Sequence, residues 1–341
     1  MVNLTHAHKE IYRRSPDECF ATLQDLWEHC RARKQASVDR WHPPQLLKAQ
    51  PAADALSLAV GKDGAFALND WSFTQLCRLA GIAKDTVNRL SPDTASRAFL
   101  ETLPSGNKPL QILTTEQSVR SIHGVAYTRL WDSDLIMTLR EFATDFQPPQ
   151  RAMNGASGLY SGEQDMFCFL IDPLGWTEIE GEAFAPGFFV WNSEVGKRSI
   201  GMSTFWFQAV CQNHIVWDAV DVTEFSRKHT ASVHDSLSEI RRTIDALVQK
   251  RDARKDGFVS LMRKAMAEKL GDDAEEVEKV LSKNGINRSL AKEALAIARE
   301  QGRFTIWALV DALTRLSGKL GYAGDRTDAD QKAASLLALA A

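Results

Sequence analysis

Residues 187–217 read GFFVWNSEVGKRSIGMSTFWFQAVCQNHIVW, and how this stretch is read decides the fold. Phe188 to Trp191 are four large apolar residues in a row, and Ile200 to Val210 are mostly apolar. Between them NSEVGKRS supplies the small and charged residues that a chain reversal uses. The pattern predicts a β-hairpin turning at Gly196.

Working outward, residues 152–160, 166–171 and 177–180 predict three more short strands punctuated by glycines. About five antiparallel strands imply a sheet with one packed face and one available face. After Val222 the character changes. Glycine and proline are absent between Gly201 and Gly257, while Val233, Leu237, Ile240, Ile244 and Leu247 recur at helical spacing. Further helices are expected over 258–270, from the acidic start at 272–278, over 289–300 and over 305–317, with a short tail helix from Ala333.

Toward the N-terminus, Ser15-Pro16-Asp17-Glu18 predicts a helix start and an amphipathic helix to Lys34 that ends in Arg31, Arg33 and Lys34. Trp41-His42-Pro43-Pro44 predicts an extended linker leading to a strand at 56–60. Asn69-Asp70 caps the first of three small helices, and Gly81 ends it. Residues 110–114 and 119–127 predict a strand pair, with a helix at 135–142. Arg120 and His123, three apart on a strand, are expected on opposite sides. The expectation is therefore an α+β fold in three regions: helices and a small sheet over 1–147, a central antiparallel sheet over 148–221, and a C-terminal helical bundle over 222–341.

Composition narrows the function classes. The 341 residues carry a net charge of −3, which excludes a uniformly basic surface, so any nucleic-acid site must be local. The five cysteines form no C-x-x-C pair and are expected as reduced thiols of a cytoplasmic protein. The N-terminus lacks a leader pattern, and no run approaches the length that spans a bilayer, so no membrane partner is expected.

Between Arg227 and Lys264 stand ten Lys or Arg against five Asp or Glu. Arg227, Lys228, Arg241, Arg242, Lys250, Arg251 and Arg254 are candidate phosphate contacts, several on one stripe of a helix. Lys197 and Arg198 at the hairpin turn, with Trp206 facing away from Phe205 and Phe207, are candidates for pairing phosphates and stacking a base. Asn192, Glu194, Asn213 and His214 are expected as polar residues that hold the turn and the strand end. Cys211 with His214 is half a zinc site at most and lacks an activating third group as a nucleophile, so no metal, cofactor or catalytic residue is expected.

On NSEVG at 192–196, FWFQAVCQNHIVW ending at Trp217 and TIWALVDALTR at 305–315, the chain resembles a phage- and plasmid-borne family known as domain of unknown function nine-hundred-and-thirty-two. The resemblance implies a mobile-element origin and no established activity. Together these features predict a nucleic-acid-binding, oligomeric protein with single-stranded DNA as the favoured partner, similar in outline to single-strand annealing proteins. Two other readings are an enzyme with a dispersed pocket around Glu194, Cys211 and His214, and a factor that acts by binding a host protein.

Overall fold

The computed structural model describes residues 14–149, 158–208, 214–217 (backbone only), 224–300, 302 and 304–340. Its strands are β1 Glu18–Cys19, β2 Ser37–His42, β3 Leu47–Ala52, β4 Ala55–Val60, β5 Ala65–Leu68, β6 Leu110–Thr115, β7 Ser118–Gly124, β8 Leu159–Ser161, β9 Met166–Ile171, β10 Thr177–Ile179, β11 Glu182–Asn192, β12 Ile200–Gln208, β13 His214–Trp217 and β14 Glu224–Arg227. Its helices are α1 Leu23–Gln35, α2 Asp70–Ala80, α3 Lys84–Val87, α4 Pro92–Thr102, α5 Asp132–Phe142, α6 Asp235–Gln249, α7 Arg251–Ala267, α8 Ala274–Lys283, α9 Arg288–Glu300, α10 Ile306–Ser317 and α11 Ala323–Ala334. The α+β expectation holds.

The predicted hairpin is β11 and β12, with Val190 opposite Met202 and Trp191 opposite Gly201. It sits in the middle of an antiparallel sheet of order β1-β8-β9-β11-β12-β13, with β10 on β11 and β14 on β12. Alternation gives the sheet two unlike faces. Met166, Cys168, Leu170, Phe188, Val190, Ile200 and Met202 pack against Leu26 of α1, Leu135 and Leu139 of α5, and Ile240 and Ile244 of α6. Phe167, Phe169, Phe189, Phe205 and Phe207 turn the other way, onto Ala323 and Ala334 of α11. The face that the sequence left available is covered by α11.

A second sheet, β2-β6-β7-β5-β4-β3, is antiparallel except for β5 with β7. It packs on α2 and α4 through Leu58, Phe66, Phe73, Phe99 and Ile122. The N-terminal caps follow the sequence. The Asn69 side chain accepts from the Ser72 amide, and Gly81 ends α2 at φ 70°, the left-handed conformation that glycine adopts without strain. Helices α7 to α10 form a further core with Phe184 and Trp206.

Four expectations are corrected. Helix α1 starts at Leu23 behind a Thr22 cap, because Asp17 is engaged in holding Arg14 and the start of α11. The 41–44 stretch is less of a linker than expected: Trp41 and His42 end β2, and β3 follows a 3-10 turn at Pro44–Leu46, carrying Pro51 on a sheet edge where a missing N–H is tolerated. The tail helix begins ten residues earlier than Ala333, at Ala323. The long basic helix is two helices that break at Lys250 (φ −99°, ψ 14°), so helical spacing does not carry from Arg241 to Arg254.

Candidate functional site

The segment Asn192–Gly196, which leaves β11 and enters the turn, is buried up to Val195. Glu194 is 1% exposed. Its Oε1 lies 2.6 Å from Arg120 Nη1 and 3.0 Å from Arg33 Nε, and its Oε2 accepts the Asp132 amide at 3.2 Å. That amide opens α5, so the carboxylate also meets the positive end of a helix. Arg33 Nη2 donates to Asp132 Oδ2 at 2.8 Å, and Asn192 Nδ2 donates to Asp132 Oδ1 at 2.8 Å and to the Leu130 carbonyl at 2.9 Å. Two carboxylates thus face two guanidiniums.

The electrostatics follow from that balance. Burial pushes the Glu194 carboxyl up, but Arg33 and Arg120 outweigh it and hold the group below the usual range. Burial and then the charge of Glu194 push Asp132 up. Both of Glu194's oxygens are engaged, and through them it joins the central sheet to β7, α1 and α5.

The backbone of the same segment is held as tightly. The Glu194 carbonyl accepts from Tyr127 Oη at 3.0 Å and from Arg129, which also reaches Asp39 at 2.8 Å. The Val195 carbonyl accepts from Trp71 Nε1 at 2.8 Å and from His123 Nε2 at 2.9 Å. His123 stacks on Tyr127 with centroids 3.7 Å apart, and Tyr127 on His229 at 5.4 Å. Burial lowers both imidazoles to about 4.

Arg120 and His123 therefore both reach the turn, against the expectation of opposite sides. The register of β6 with β7 shifts at Leu113/Thr114, so Val119 pairs with Thr114, Ser121 pairs with Leu113, and Arg120 between them is the extra residue. A bulge displaces the alternation by one and re-aims the side chain. Nothing in the sequence marks that bulge. Arg33, expected at the end of the first helix, is likewise drawn inward by Glu194 and Asp132.

The cationic candidates separate into engaged and open groups. Arg198 pairs with Asp165 at 3.1 Å and forks onto Asp328 at 2.9 and 3.0 Å. Arg227 pairs with Glu239 at 2.7 Å, Arg251 with Asp172, and Arg241 lies over the Phe142 ring at 4.4 Å. Arg254 is buried in α7. Trp206 does face away from Phe205 and Phe207, but inward: it is 0% exposed and stacks on Phe258 at 4.0 Å, so it offers no face to a base. The predicted common stripe is not formed. Lys197, Lys228, Arg242 and Lys250 remain exposed. Cys211 and Asn213 lie outside the described residues, and of His214 only the backbone is described, paired with Gln208.

One residue that the sequence did not single out as a site joins Lys197. Arg78, exposed near the end of α2, has its guanidinium 5.3 Å from the Trp71 ring centre, and the Lys197 ammonium lies 5.0 Å from the same centre. Among the described residues neither cation is in an ion pair. Desolvation lowers the Lys197 pKa; Asp165 offsets part of that, while the charges of Arg198, Arg78 and Arg14 add to it. Lys228 follows Arg227, which pairs with Ile200, so it sits at this same end of the sheet.

Among the described residues no group of three or more His, Cys, Asp or Glu is placed to hold a metal ion, and no helix is long and apolar enough to cross a membrane. Of the cysteines, Cys30, Cys77 and Cys168 are buried with thiol pKa values raised by desolvation, and Cys19 is exposed on the two-residue β1. The family model described as domain of unknown function (DUF932) matches residues 158–334, from the approach to β8 to the last residue of α11. No curated protein and no solved structure matches the chain.

Proposed function

The chain belongs to the DUF932 family, and from that premise we propose that it binds the sugar-phosphate backbone of nucleic acid, single-stranded DNA by preference, at the turn end of the central sheet. The observation that carries this reading is the pair of open cations on Trp71. Lys197 and Arg78 share one ring, with Arg198 and Arg14 near enough to disfavour the charge on Lys197. Asp165, which offsets part of the shift on Lys197, is already paired with Arg14 and Arg198, so the charges of Lys197 and Arg78 are left to an anion, and a phosphate chain supplies several at regular spacing. Lys228 extends the same end of the sheet, and Trp71 is fixed by its hydrogen bond to Val195, so the platform is already in place before a ligand arrives.

Assembly into homo-oligomers on the strand, a cytoplasmic setting and service to replication or recombination in a mobile element belong to the same reading. The experiment is a titration of labelled single- and double-stranded oligonucleotides at two salt concentrations, with particle mass measured with and without the strand. Single-strand binding that weakens steeply with salt is expected. Absence of binding at low salt overturns the reading.

A further inference from the structure

We infer that the aromatic face of the central sheet beneath α11 is a binding surface for the bases of single-stranded nucleic acid, and that α11 covers it by placing Asp328 where a backbone phosphate would meet Arg198. The inference rests on the nucleic-acid reading above and adds to it a second surface and a cover.

The face itself is unlike an ordinary core. Phe167 and Phe169 stack at 6.4 Å and 14°, Phe169 and Phe189 at 5.1 Å and 11°, and Phe189 and Trp191 at 4.9 Å and 28°. Near-parallel rings on β9 and β11 form a two-by-two block in which Phe169 faces Phe189 and Phe167 faces the half-buried Trp191 across the strands, and base stacking on aromatic rings is tolerant of sequence. The Arg198 guanidinium lies 5.5 Å from the Phe167 ring centre, at the same end of that block as Trp191.

The cover is equally unusual. The buried residues of α11 are Ala323, Gly324, Thr327, Asp330, Ala333 and Ala334, with no large apolar side chain among them. The preceding α10 buries Ile306, Trp307, Leu309, Val310, Leu313 and Leu316. Apart from Ala323, which packs on the aromatic face, what holds the first half of α11 is polar. Asp17 Oδ2 accepts the Ala323 amide at 2.9 Å, Tyr322 Oη donates to the Arg14 carbonyl at 3.0 Å, and Asp328 takes both Arg198 nitrogens. The linker from α10 contains Gly318 and Gly321, whereas the far end is anchored by Leu336 and Leu337 in the helical core. A helix tied by ionic contacts at one end and by apolar contacts beyond the other is built to lift from the first. A bidentate carboxylate on arginine is also the geometry a phosphate uses, so the ligand and Asp328 compete for one fork.

The test compares Asp328→Ala, which breaks the fork, with Asp325→Ala, which removes the same charge from an exposed position of α11 outside that fork. A labelled oligo-dT is titrated against wild type and both variants, and amide exchange of α11 is followed with and without the oligonucleotide. Asp328→Ala is expected to tighten binding about fivefold or more, Asp325→Ala to change it much less, and the α11 amides to lose protection when oligo-dT binds. Wild-type binding that Asp328→Ala leaves unaltered, or that both variants tighten equally, overturns the cover while the nucleic-acid reading stands. Absence of binding in all three, even with α11 exchanging freely in Asp328→Ala, overturns the ligand class and the reading beneath it.

Discussion

Two halves of one turn behave oppositely. Asn192 to Val195 point their polar atoms inward and find partners for nearly all of them, whereas Lys197, two residues later, holds its charge outside beside Arg78. The inner half is where charge is balanced, two carboxylates against two guanidiniums; the outer half is where it is left in excess. The contrast teaches that a charged motif such as NSEVGKR mixes two jobs at single-residue resolution. Fastening the sheets falls to the residues that lose water, and recognition to those that keep it.

The sharpest way to break that contrast is Glu194→Gln, which leaves Arg33 and Arg120 buried against a neutral amide. Removing one partner of a buried ion pair costs about 3–5 kcal/mol. Urea unfolding should show a loss of that size. A loss below about 1 kcal/mol would mean that water reaches the cluster and that the inner half is not distinct.

Acid should act next most strongly, through the rings that clasp the turn. His123 and His229 ordinarily take a proton near 6.5, but burial holds both at about 4 in the fold. The unfolded chain therefore binds protons first as pH falls. Their contribution to stability is complete above pH 6.5 and declines as pH drops toward 4, by about 1–2 kcal/mol per ring between pH 7 and pH 5. Urea midpoints measured across that interval check the sign, and a midpoint that stays level or rises toward pH 5 would rule out neutral, buried imidazoles.

A smaller effect is expected at the residue between the halves. Gly196 sits at φ 73°, and a Cβ there would stand 2.5 Å from the His123 ring and 2.9 Å from that of Tyr127. Gly196→Ala combines an unfavourable backbone with a collision against a stacked pair, for a loss of about 1–3 kcal/mol. Thermal melts of the variant provide the measurement. Wild-type stability would show that the stack gives way.

The legibility of these features in the sequence tracks the range of the forces that make them. The hairpin, the Asn69 and Gly81 caps and the spacing of Ile240, Ile244 and Leu247 are set by neighbours within a few residues, and all were readable. Glu194 was read as structural, but its partners come from 62 to 161 positions away, and no local pattern announces Arg33 or the bulge at Arg120. Charge counting treated ten cations between Arg227 and Lys264 as equivalent. Whether each is open depends on an acid or a ring placed by tertiary packing, such as Asp172 for Arg251 and Phe142 for Arg241. Arg78 was illegible for the converse reason: its importance lies in Lys197, more than a hundred residues ahead.

The smallest expected effect on stability belongs to the outer half, and it is the one that gives the contrast its functional meaning. Lys197→Ala combined with Arg78→Ala removes two exposed charges that no described acid pairs with, so unfolding should shift by no more than about 0.5 kcal/mol. The same double variant should bind single-stranded oligonucleotide more weakly, and the slope of log affinity against log salt should flatten by about one unit for each phosphate left without its cation. Arg242→Ala, at an exposed position of α6, serves as the matched removal of one charge. If it flattens the salt slope as much per charge as the double variant, the cations at the turn have no privileged place, and the phosphate site dissolves into the general field of the surface.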